Sequence, residues 1–110
     1  MLNFKNIKVV LPNDIKMTSL KIENGKIKSI GESNDEKGID NEKYYLVPGF
    51  IDQHIHGAAG FDFMDGTKEA LNGISKALLK EGTTSFLGTT MTQSFDNIEK
   101  AVYNLVPQKL

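Results

Sequence analysis

Two histidines, His54 and His56, stand one residue apart in the stretch PGFIDQHIHG (48–57), and they are the only histidines in the chain. If this apolar run is a strand, side chains alternate between its faces, so Phe50, Asp52, His54 and His56 share one side. Ile51, Gln53 and Ile55 take the other. Neutral imidazoles are common ligands for zinc, iron and related ions. A pair of them at one strand end makes half a metal site. The competing reading is two part-buried histidines bonded to nearby main chain; the H-x-H spacing ahead of a glycine-rich loop favours metal ligation. Asp52 is either a carboxylate that orients an imidazole or one that is solvated or paired with an N–H. Asp62 and Asp65, in the loop that follows, read as turn and cap residues. Glycines 57, 60 and 66 read as loop geometry, since no G-x-G-x-x-G or Walker pattern accompanies them. Thr83, Thr84, Thr89 and Thr90 read as strand residues.

The elements that must position the histidines come in two styles. Residues 1–47 carry short apolar runs interleaved with lysine, LNFKNIKVV and MTSLKIENGKIKSI, which predict antiparallel β structure. Asn24-Gly25 predicts a two-residue type I′ hairpin turn. The polar segment 31–43 predicts a surface loop, and YYLV (44–47) a further short strand that ends at Pro48-Gly49. Beyond Pro48 the period changes. FIDQHIH predicts a strand, GAAGFDFMDG a glycine-rich loop, and Thr67 to Lys80 a helix with Ala70, Leu71, Ile74, Ala77 and Leu78 on one face. Thr67 or Asp65 is its N-cap and Gly82 its stop, with Gly73 weakening its interior by ~1 kcal/mol. TTSFLGTT (83–90) predicts a second strand. Ser94 caps a second helix bearing Phe95, Ile98, Val102 and Leu105, which Pro107 ends. Strand, helix, strand, helix implies a parallel sheet. Two such units fall short of a closed (β/α)8 barrel of about 250 residues, so the chain reads as a fragment.

Bulk properties narrow the partners. The net charge of -1 gives no basis for nucleic acid or an anionic membrane as partner. All 13 basic residues are lysine, so no planar guanidinium is present for bidentate phosphate recognition. There is no cysteine, hence no disulfide and no thiolate metal site. The N-terminus MLNFKNIKVVLPND lacks a signal-peptide apolar core, and a soluble, cytoplasmic protein is the expectation.

At PGFIDQHIHG the sequence resembles the amidohydrolase superfamily, whose first barrel strand carries an H-x-H metal motif. HGAAGFDFMDGT and KEGTTSFLGTTMTQS are similar to the corresponding stretches of the N-acetylglucosamine-6-phosphate deacetylases within it, and ENGKIKSIG resembles their N-terminal β-sandwich. The resemblance implies an α/β fold: residues 1–47 as part of a small β-sandwich domain, and 48–110 as the first two βα units of a metal-dependent TIM barrel. It implies hydrolysis of N-acetylglucosamine 6-phosphate to glucosamine 6-phosphate and acetate in amino-sugar metabolism, by an enzyme expected to be a homodimer. His54 and His56 match the family's metal ligands, for one or two divalent ions, Zn or Fe. The other ligands, the general acid/base and the substrate-contacting residues are expected beyond Leu110, which leaves this chain without a catalytic residue of its own and inactive alone. Alternatives are another amidohydrolase, such as a dihydroorotase-like or hydantoinase-like cyclic amidase, and a non-catalytic truncated module.

Overall fold

Apolar residues alternating with lysine draw the first part of the chain into one five-stranded sheet. In the computed structural model, which describes residues 1–31 and 38–105, β1 (Leu2–Leu11) pairs antiparallel with β2 (Asp14–Glu23), and β2 with β3 (Lys26–Ile30). Asn24 and Gly25 turn β2 into β3 with φ of 51° and 73°, the two positive values that a type I′ turn demands. Beside this turn Lys28 pairs with Glu23, and its hydrogen bond holds the Glu23 carboxyl below the ordinary range.

A purely antiparallel arrangement is what the sequence predicts, and there the structure differs. Both β4 (Ile39–Asp40) and β5 (Tyr45–Leu46) run parallel to β1. A tight hairpin forces antiparallel pairing, whereas a long return lets the chain re-enter a free sheet edge in either sense. The same finding corrects part of the predicted surface loop, because Ile39 and Asp40 join the sheet; residues 32–37 of that loop lie outside the described residues. Asn6, at φ 49°, marks a register shift in β1 and donates from Nδ2 to Asp40 Oδ2 at 3.1 Å. Ile7, Val9 and Leu20 form the core of this unit, which spans Met1–Pro48.

The second unit, Gly49–Leu110, is built on β6 (Phe50–Ile55). The glycine-rich stretch after it is not an open loop. It folds as a small hairpin of β7 (Gly57–Ala58) and β8 (Phe61–Asp62), turned by Ala59 and Gly60 at φ of 53° and 81°, and continues into a 3₁₀ turn, Phe63–Asp65. Two-residue strands are too short to show any alternation, so no sequence pattern announced them. Asp62 and Asp65 cap the 3₁₀ turn reciprocally: Asp62 Oδ1 accepts the Met64 N–H at 2.7 Å, and Asp65 Oδ2 accepts the Asp62 N–H at 2.9 Å.

Helix α1 (Lys68–Lys80) starts where Thr67 Oγ1 accepts the Ala70 N–H at 3.2 Å, and it ends just before Gly82 at φ 87°. Strand β9 (Thr83–Gly88) then lies parallel to β6, and helix α2 (Phe95–Leu105) follows, capped by Ser94. Ile74 and Leu78 of α1 pack with Phe63, against Ile55 of β6 and Phe86 of β9. Gly73 has a positive reason to be glycine: an added Cβ would stand 2.4 Å from the Phe61 ring. The predicted inner face of α2 is partly corrected. Ala101 is fully buried and Leu105 reaches the core, but Phe95 and Val102 are exposed. The small Ala101 side chain lets the helix approach along the Ile98–Ala101–Leu105 line, which turns Phe95 and Val102 to the flank. The predicted stop at Pro107 lies outside the described residues.

Candidate metal centre

Strand β6 does not carry the histidines as a regular strand would. Asp52 pairs with Phe86 and Ile55 with Gly88, so three steps on β6 oppose two on β9. The extra residue is a β-bulge at Gln53-His54, a device that re-aims side chains at strand ends. Within the bulge, Asp52 Oδ1 accepts the His54 N–H at 3.0 Å. Through this oxygen the Asp52 carboxylate fixes the backbone under His54.

His56 sits just past the last residue of β6 and is tied down on three sides. Its carbonyl accepts the Phe63 N–H at 2.9 Å, and the Thr89 N–H reaches the adjacent Ile55 carbonyl at 2.8 Å. Its own Nδ1 lies 2.9 Å from the Thr89 carbonyl. Gly57 follows because nothing larger fits: a Cβ there would stand 2.1 Å from the Phe61 carbonyl oxygen. The hairpin can therefore fold back directly behind His56.

These restraints bring the two rings together. His54 Nε2 and His56 Nε2 lie 3.3 Å apart, with ring centroids at 5.1 Å and planes at 79°. Nitrogens that each bind one tetrahedral zinc at about 2.0–2.1 Å stand roughly 3.3–3.4 Å from one another. The pair therefore fits two neighbouring corners of a metal's coordination shell. His54 is exposed and His56 half-buried, so the open corners face away from the core. Among the described residues no third histidine, cysteine or carboxylate joins them in a cluster. Asp62 and Asp65 are spent on capping. The bulge and the Thr89 contact escaped sequence reasoning, since both depend on the register of β6 against a strand nearly thirty residues away.

The amidohydrolase family model matches residues 45–110. Over 83 residues the chain is 47% identical to the N-acetylglucosamine-6-phosphate deacetylase of Lysinibacillus sphaericus, an alignment that covers 73% of this chain and 21% of that protein. Over 106 residues it is 40% identical to the enzyme of the same name from Bacillus subtilis, covering 91% of this chain and 27% of the relative. The crystal structure of N-acetylglucosamine-6-phosphate deacetylase from Pasteurella multocida superposes with a TM-score of 0.86 at 27% identity, over 94% of this chain and 29% of that one. The chain thus spans only about a quarter of the length of the relatives it matches.

Proposed function

The chain belongs to the amidohydrolase family, and from that premise we propose that it contributes the opening βα units of a barrel that deacetylates N-acetylglucosamine 6-phosphate. The products are glucosamine 6-phosphate and acetate. One observation carries the reading: two imidazole Nε2 atoms 3.3 Å apart at the C-terminal end of a parallel strand, the end where barrels of this kind assemble their active sites. The names of the relatives support the substrate, and with all 13 basic residues lysine this chain supplies no guanidinium for bidentate phosphate recognition.

In this reading His54 and His56 hold a divalent ion, zinc or iron by donor type. Such an ion, when bound, polarises the amide carbonyl and brings the pKa of water toward ~7. The chain's own residues do the holding. Asp52 sets the bulge that aims His54, while the hairpin Gly57–Asp62 closes the space behind His56. The general acid/base, the remaining ligands and the sugar contacts are assigned to the rest of the barrel, as the small β-sandwich is to residues 1–47 and their complement.

The test uses the full-length protein. Acetate release from N-acetylglucosamine 6-phosphate is followed beside ring opening of dihydroorotate and hydantoin. Turnover of the amino sugar, lost on chelation and restored by Zn²⁺ or Fe²⁺, is the expected result. Turnover of a cyclic amide alone would move the protein to another branch of the family.

A further inference from the structure

The Thr89 carbonyl touches His56, and a carbonyl can only accept a hydrogen bond. At 2.9 Å the proton of that contact must therefore sit on His56 Nδ1. A neutral imidazole carries one N–H, so its Nε2 is left as a bare lone pair, and that atom is the one facing His54 Nε2 at 3.3 Å. We propose that Thr89 is the positioning residue of this site: its main chain locks His56 in the Nδ1–H tautomer and presents Nε2 as the donor atom. The proposal rests on the metal-centre reading above and adds to it the group that selects the donor.

The hook is rigid for reasons that lie in the fold. Thr89 stands one residue past the end of β9 and grips two consecutive residues, Ile55 through its N–H at 2.8 Å and His56 through its carbonyl. Gly88 before it is seated among Leu105 and Phe63, at 3.1–3.2 Å from where a Cβ would lie. The Thr89 hydroxyl turns back to the Leu87 carbonyl at 3.3 Å and takes no part. In the opposite tautomer the Nδ1 lone pair would face the carbonyl lone pairs, and the proton would block the donor atom. Partners of this kind are worth about 10–100-fold in metal affinity where they have been removed.

The experiment uses full-length protein with ¹⁵N-labelled imidazoles, the His56 signals being assigned by their loss in His56→Gln. Long-range ¹H–¹⁵N correlations report which ring nitrogen bears the proton, and Zn²⁺ is the probe for binding. The peptide bond between Thr89 and Thr90 is converted to an ester, which weakens the residue 89 carbonyl as an acceptor and leaves every side chain in place. An ester one bond later, between Thr90 and Met91, is the control. We expect the unmodified protein and the control to show His56 as Nδ1–H, with Nε2 shifting on Zn²⁺ addition. We expect the 89–90 ester to show a mixture of tautomers and severalfold weaker Zn²⁺ binding. An Nε2–H tautomer in the unmodified protein, or an ester with wild-type tautomer and affinity, overturns the role of Thr89 while leaving the metal centre standing. No response of either ring to Zn²⁺ overturns both.

Discussion

Glycine in the middle of α1 costs about 1 kcal/mol against alanine on helix propensity alone, so Gly73→Ala would be expected to stabilise an isolated helix. In this fold the added methyl meets the Phe61 ring at 2.4 Å. The packing penalty of about 1–3 kcal/mol for such an insertion outweighs the propensity gain. We predict a lowered unfolding temperature for Gly73→Ala in the full-length protein; a raised one would show that the ring moves aside freely. Gly57→Ala should be worse, because its obstacle is the Phe61 carbonyl oxygen, which cannot rotate away. Loss of the hairpin behind His56 should appear as weakened Zn²⁺ binding as well as lost stability. At this scale the sequence was legible for the histidines, since alternation along FIDQHIH put them on one face. It was silent on the bulge, which depends on the partner strand, and on Thr89, whose β-propensity hid its main-chain role.

Elements were legible where local chemistry decides them. Asn24-Gly25 turned as its φ preferences dictate, and Thr67 and Ser94 capped the helices they precede. Pairings that depend on a long return were not, which is why β4 and β5 joined β1 in the parallel sense. The hairpin of β7 and β8 is the weakest-signalled element, because Ala59 occupies the left-handed region at φ 53°. That conformation costs an L-residue other than glycine or asparagine roughly 1–2 kcal/mol. Ala59→Asn would create an Asn-Gly turn and should raise stability by up to about 1 kcal/mol, read by chemical denaturation. A fall would mean that the turn is held by contacts the alanine methyl makes. Core truncation should act oppositely: Ile74, with no exposed surface, should cost about 2–5 kcal/mol as Ile74→Ala.

Among the described residues each unit keeps one small core, and many large apolar residues are left uncovered. Ile27 and Ile51 are 62% and 68% exposed, Leu87 63% and Phe95 77%. Large apolar side chains exposed to this degree are an association liability. The 110-residue chain on its own should therefore self-associate and bind a hydrophobic dye at low micromolar concentration. It should also release no acetate from N-acetylglucosamine 6-phosphate, even with added Zn²⁺, because two imidazoles leave the coordination shell half empty. A monomer with a sharp unfolding transition and no dye binding would instead favour a self-sufficient module.

The central claim is that His54 and His56 together hold a divalent ion, and crystallography tests it most directly. Full-length protein crystallised with Zn²⁺ should give an anomalous difference peak at the zinc edge about 2.0–2.1 Å from both Nε2 atoms. The peak should vanish in His54→Ala/His56→Ala crystals, with acetate release falling at least a hundredfold. A map with no density between the two rings, in protein that still turns over substrate, would contradict the account.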